Sequence, residues 1–312
     1  MRADYNSLIY AYESNNLAIL DIMSDELEVA TEADEQTPAE LNAENATRDT
    51  VSTDENKQVT KTVLINKVIE RVKAFIRKIG EIFEGLKRKL SNRLRTLAET
   101  DKGFYSLYYK RKSMVKPYQK VRVISYQYNN SAMDQPIEKI MNETVRCLEK
   151  LRAIEGTSNG DSRISEIINA NQGNVIEVLL APYAKDSDIP VTSVPEFIRY
   201  IVSKFRGEKK ELVYSDTQLN NIEANALSTK ELASKCNGYL NAAQQAFNKI
   251  KGLEYQINRS SADPKVANLV ATNAAKAATL YNAYSALINA YYELKLEQSL
   301  NYRIILKKFY QF

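Results

Sequence analysis

Large apolar residues recur along most of this chain at three- and four-residue steps, the spacing that lines one side of an α-helix. The longest such run covers about 61–99, where Val68, Val72, Phe75, Ile76, Ile79, Ile82, Phe83, Leu86, Leu90, Leu94 and Leu97 form a stripe. The opposite side of that helix carries Lys73, Arg77, Lys78, Lys87, Arg88, Lys89, Arg93 and Arg95. A second long run begins at Asp263-Pro264, a start signal with proline in the first turn, and continues to about residue 310. Its apolar members include Val266, Leu269, Ala277, Leu280, Tyr281, Tyr284, Leu287, Ile288, Tyr291 and Leu294. The capping-box pattern Ser228-Thr229-Lys230-Glu231 opens a helix over 229–258. The two are expected to pair as an antiparallel hairpin, or as a coiled-coil element joining copies of the chain.

The remaining segments follow the same rules. Leu8, Ile9, Tyr12, Leu17, Ile19, Leu20 and Ile22 predict a helix over 4–23. Residues 24–60 hold almost no large apolar side chain after Val29, and their acidic, Ala- and Thr-rich composition predicts a disordered tether. Gly103 is expected to break the basic helix, Pro117 to interrupt any regular element, and the alternation around Val121, Val123 and Ser125 to form a strand. Helices are expected over 134–156, 161–170 and 173–183. Another follows Ser193-Val194-Pro195-Glu196 and stops at Gly207. The sum is an all-α protein, an elongated helical bundle with a minor extended segment near 104–126. It divides into a short helix (1–23), a tether (24–60), a basic region (61–128), a helical domain (129–227) and the hairpin (228–312).

Composition then narrows the chemistry. The chain of 312 residues contains no histidine and no tryptophan. Without histidine there is no Ser-His or Cys-His nucleophile pair, and the commonest transition-metal ligand is missing. The two cysteines, Cys147 and Cys236, form no CxxC pair and read as reduced thiols. Phosphate-binding glycine loops and nucleophile elbows are absent, and scattered Asp and Glu on helices read as solvated faces. The expectation is a non-enzyme with no cofactor and no metal. There is no run of 18 apolar residues and no signal-peptide pattern at the N-terminus.

Charge is laid out in blocks. Residues 1–60 hold 14 Asp/Glu and 3 Lys/Arg, whereas residues 61–120 hold 17 Lys/Arg and 5 Asp/Glu. The acidic block could mask the basic one until displaced. The basic helix and the Tyr-rich stretch that follows it nominate Lys73, Arg77, Lys78, Lys87, Arg88, Lys89, Arg93, Arg95, Lys110, Arg111 and Lys112 as contacts to an anionic partner. Nucleic-acid phosphates are one such partner, and an anionic membrane surface is a less favoured one. Tyr105, Tyr108, Tyr109, Tyr118, Tyr126 and Tyr128 lie among these cations. They suit base stacking, a subunit interface or packing on the helical body.

The acidic block also concentrates triplets of a small residue, any residue and glutamate: Ala11-Tyr12-Glu13, Ser24-Asp25-Glu26, Ala30-Thr31-Glu32 and Ala33-Asp34-Glu35. These resemble the cleavage signal of prohead proteases in large tailed bacteriophages. A helix, an acidic tether with such triplets and a basic helical body together resemble the internal head proteins those enzymes process. The resemblance implies a virion structural protein cut after Glu26, Glu32 or Glu35. Its implied partners are a prohead protease, other virion or scaffold proteins, nucleic acid and further copies of the chain, in the phage head or the host cytoplasm. A helical adaptor or oligomeric scaffold is the alternative, and a membrane-active helical protein a third.

Overall fold

The computed structural model describes residues 5–34, 53–117, 122–126, 191–206, 209–213, 216–226, 237–245 and 264–312, with isolated positions at 180, 184, 187, 234, 247 and 248. The order is α1 (Tyr5–Asp34), α2 (Thr53–Met114), β1 (Arg122–Tyr126), α3 (Val194–Arg206), β2 (Lys209–Val213), α4 (Asp216–Ala226) and α5 (Pro264–Tyr310), with a further helical segment at 237–245. The body is all-α. Among the described residues a sheet is formed by the antiparallel pair β1–β2, in register from Arg122 opposite Val213 to Tyr126 opposite Lys209.

Helix α5 is the spine. Between Tyr281 and Ile288 every residue is buried, and the burial continues past Leu294. A helix covered on all sides needs small residues where neighbours approach and large ones where they do not. The mixture of Ala274, Ala277, Ala278, Ala283, Ala286 and Ala290 with Leu280, Leu287 and the four tyrosines Tyr281, Tyr284, Tyr291 and Tyr292 supplies both. Pro264 takes the first helical position, as expected. At the other end Gln311 adopts φ 55° and the Phe312 N–H donates to the Lys307 carbonyl at 3.2 Å. This left-handed cap folds Phe312 back onto the Phe104 ring, 5.6 Å between centroids. The apolar C-terminus is thereby seated within its own chain.

Among the described residues the most extensive partner of α5 is α2. Arg93 meets Glu293, Asp101 meets Arg303 and Tyr108 meets Tyr310, so the two helices run parallel with a nearly constant offset. The 237–245 segment does lie antiparallel on α5. The Tyr281 hydroxyl donates to the Ala243 carbonyl at 3.2 Å, and the Tyr284 hydroxyl to that of Tyr239 at 3.0 Å. Near it, Phe247 stacks on Phe83 at 5.6 Å. A Cβ on Gly80 would sit 3.0 Å from the Phe247 ring, so this glycine makes room for that contact.

Helix α1 packs antiparallel on α5, with Tyr5 against Glu297 and Asn15 and Asn16 against Asn282. It runs to Asp34, and α2 opens at Thr53, so helix covers both ends of the tether expected over 24–60. Composition pointed to disorder because apolar side chains are few. Propensity decides otherwise over 25–34, where Glu, Ala and Leu favour helix and neither glycine nor proline intervenes. Gly103 likewise fails to break α2, which continues to Met114, three residues before Pro117. A glycine in a helix costs ~1 kcal/mol, and burying an aromatic ring returns about 1.5–3 kcal/mol. Phe104 and Tyr108, just beyond it, are both buried. Of the extended segment expected near 104–126, residues 104–114 are helical and 122–126 form a strand.

Helix α3 bears out its capping box. The Ser193 hydroxyl accepts the Glu196 N–H at 3.3 Å, while Glu196 reaches back to the N–H and hydroxyl of Thr192 at 2.8 and 2.9 Å. Those bonds, the Thr192 N–H first, hold the Glu196 carboxyl below its usual range. The helix ends at Arg206, one residue before Gly207. The helices expected over 134–156 and 161–170, most of 173–183, the Ser228–Glu231 capping box and both cysteines lie outside the described residues.

Candidate polyanion-binding face

With its stripe from Val68 to Tyr108 against α5, α2 turns the opposite side to solvent. Arg77, Arg88, Arg95 and Lys102 are all exposed there. Their spacings of 11, 7 and 7 residues place them within roughly 40° of one another around the axis, over about 37 Å of length. Lys87, Lys110 and Arg111 are exposed as well. Glu81, Glu84 and Glu99 interrupt the row, so the face is a cationic stripe with gaps and not a uniform field.

The other nominated cations have partners. Lys73 is paired with Glu70 at 2.8 Å and Lys78 with Glu81 at 3.4 Å, both on the flanks of α2. Lys89 is half-buried. Two more of the nominated cations are engaged by carboxylates of other helices. Arg93, partly exposed, pairs with Glu293, whose residue is 6% exposed. Lys112 donates to Glu223 of α4 at 2.6 Å. Both cations hold the fold together, because a carboxylate that leaves water needs a cation beside it.

The same logic governs a cluster that sequence reading missed. Asp101 pairs with Arg303, which is 4% exposed. The Arg303 guanidinium lies over the rings of Phe104 at 5.2 Å and Tyr105 at 5.4 Å. Glu223 accepts from Tyr310 at 2.7 Å as well as from Lys112. Burial alone would raise its carboxyl; the hydrogen bonds from its neighbours outweigh burial and hold it below the ordinary range. Burial pushes the phenols of Tyr108 and Tyr310 upward. The reading of helical Asp and Glu as solvated faces therefore fails for Asp101, Glu223, Glu293 and Glu297. For Glu293 and Glu297 a signal was present: between Tyr281 and Ser299 α5 has no polar side wide enough to face water, so a charge there needs a partner.

The tyrosines of the basic stretch divide in the same way. Tyr108 is buried, Tyr105 is half-buried with its hydroxyl 3.4 Å from the Ala226 carbonyl, and Tyr109 is 58% exposed. Tyr126 lies in β1, and Tyr118 and Tyr128 fall outside the described residues. Packing accounts for the first two. The candidate cleavage positions Glu26 and Glu32 lie in the backbone of α1, and Glu35 follows its last residue.

Among the described residues no group of three metal-ligating side chains converges, and no helix is long and apolar enough to cross a membrane. No protein-family model, no curated protein and no solved structure matches the chain.

Proposed function

We propose that this chain is a non-catalytic structural protein that uses the outward stripe of α2 to hold a nucleic-acid backbone. The observation that carries the reading is the exposed row Arg77, Arg88, Arg95 and Lys102 on a helix whose other side is fixed in the core. A rigid row loses little freedom on binding, and each phosphate it neutralises releases condensed counterions. Four contacts to duplex DNA correspond to a slope of about −3.6 in log K against log salt.

The test is fluorescence anisotropy of the full chain with labelled duplex and single-stranded DNA across a salt series. Binding that weakens steeply with salt is expected, and the double variant Arg77→Glu/Arg95→Glu should weaken it roughly tenfold or more. Both residues are exposed, so folding should be preserved. Equal, salt-insensitive binding by parent and variant would overturn the reading.

An internal head protein of a tailed phage is the setting we favour, with other virion proteins and the packaged genome as partners. Processing would act at the end of α1, where Glu35 follows the helix. Leu8, Tyr12 and Ile19 of α1 belong to the core, so a chain beginning at residue 36 would lack part of its bundle. The cut peptide is therefore expected to stay docked. Intact-mass analysis of purified particles under native and denaturing conditions checks this. A scaffold role is favoured by one further observation: Tyr10, Leu17 and Leu20 on α1 are 74%, 62% and 54% exposed. Light scattering behind size-exclusion chromatography would register the self-association that role requires.

A further inference from the structure

Large apolar side chains scattered singly over a surface need no explanation, but aligned ones do. Two aligned groups are exposed here. The first is on α1, where Tyr10, Glu13, Leu17, Leu20 and Asp21 fall on one side at steps of three and four residues, all facing water. Between Tyr5 and Met23 α1 carries no Lys or Arg, so this stripe is apolar and acidic. Leu8, Tyr12 and Ile19 hold the other side of α1 in the core.

The second group lies on the seam between α2 and α5. Over its upper part α1 runs along this seam, facing Lys89 of α2 and Ala286 of α5. Tyr5 of α1 meets Glu297, and no described residue of α1 reaches further down. Leu107 and Ile304 lie eighteen residues beyond Lys89 and Ala286 respectively, about five whole turns, and so sit on the same sides of their helices. The parallel pair α2–α5 therefore carries the seam on past the start of α1. There Leu107, Met114 and Ile304 are 53%, 70% and 55% exposed. Lys110 and Arg111, one turn beyond Leu107, and Lys307 and Lys308, one turn beyond Ile304, are exposed beside them. Neither 102–116 nor 298–312 contains an Asp or Glu, so the lower seam is apolar and cationic.

We propose that the lower seam binds the outward stripe of α1 from a second copy of this chain, joining copies head to tail. The two groups hold six of the seven large apolar side chains that are exposed among the described residues, so docking one on the other covers nearly all of them. Their charges are opposite, Glu13 and Asp21 against Lys110, Arg111, Lys307 and Lys308. The lower seam also continues a contact that already exists, because the resident α1 occupies the upper part of the same seam. Stripe and seam are different surfaces of one chain, so the contact is heterologous and leaves each pair with one free stripe and one free seam. The inference deepens the scaffold role and does not rest on the nucleic-acid reading, whose cations lie on another side of α2.

The test is sedimentation velocity on the nuclease-treated full chain over a concentration series. The parent should exceed the monomer mass and grow heavier with concentration. Leu17→Lys places a cation on the stripe, and Leu107→Ser/Ile304→Ser removes the apolar floor of the seam. Each should weaken self-association at least tenfold. All three side chains are exposed, so both variants should fold as the parent does by circular dichroism. An equimolar mixture of the two variants still offers one intact stripe to one intact seam. It should therefore form a dimer and nothing larger, which also shows that both variants are folded. A parent that stays monomeric at millimolar concentration, association undiminished in either variant, or a mixture no heavier than its separate components would each overturn the inference. Association undiminished in both variants would keep the scaffold role on some other surface while rejecting this pairing of faces. DNA binding is read separately by anisotropy, so its failure and this one are told apart.

Discussion

The two halves of the α2–α5 pair are held together by different physics. From Ala271 to Leu294 the contact is volume: alanines, leucines and tyrosines against Val72, Phe75, Ile79, Phe83 and Leu90. From Glu293 to Phe312 it is charge inside an aromatic setting, with Arg93–Glu293, Asp101–Arg303 and the Lys112–Glu223–Tyr310 group. An apolar interface gains energy in several registers, because burial has no direction. A buried ion pair tolerates one register, because a shift by a turn strands a charge away from water. The upper half thus provides adhesion, and the lower half fixes how α2, α4 and α5 align.

That contrast is open to direct attack. The largest effect is expected from Arg303→Met, which leaves Asp101 facing a buried void of charge and should cost about 3–5 kcal/mol in urea unfolding. The double variant Asp101→Leu/Arg303→Met should recover much of that loss. A cost near zero for the single variant would mean that the pair fixes nothing. In the upper half Leu287→Ala should cost about 2–5 kcal/mol through the cavity it leaves, with no partner substitution able to restore it. Next is Tyr281→Phe, which removes the bond to the Ala243 carbonyl and should cost ~1 kcal/mol. Hydrogen exchange should locate that loss in the 237–245 segment.

The smallest expected effect separates the halves by pH. The Glu223 carboxyl is held below its ordinary value in the folded chain. Its contribution is therefore fully present above the unfolded value and is lost as pH falls through the folded one. Acidification below the ordinary carboxylate range should raise amide exchange in α4 and in the last turns of α5 before it does so at 280–290. Uniform loosening of both halves would erase the distinction. At alkaline pH no such separation is expected, since burial raises Tyr281 and Tyr284 above as well as Tyr108 and Tyr310 below.

How far the sequence carried can be judged residue by residue. Apolar steps of three and four located α2 and α5 because periodicity depends only on helix geometry. The caps at Ser193 and Pro264 could be read directly because their partners lie within one turn. Gly103 and the stretch 25–34 misled for opposite reasons: one local penalty was outweighed by the burial of Phe104 and Tyr108, and one local preference was overlooked in favour of composition. Arg93 and Lys112 looked identical to Arg88 and Lys110 on paper. Only the approach of Glu293 and Glu223 separates them, and those carboxylates lie about 200 and 111 residues away in the chain.

By itself the sequence determined α1, α2, α3 and α5, the apolar and cationic sides of α2, and the absence of histidine-dependent chemistry, because each follows from residue types and their spacing along one strand of chain. The tertiary structure alone decided which helix became the spine, that α2 lies parallel to it and which cations meet a carboxylate of another helix. Those outcomes depend on which surfaces meet, and a charge becomes a lock or a contact only when the space around it is known.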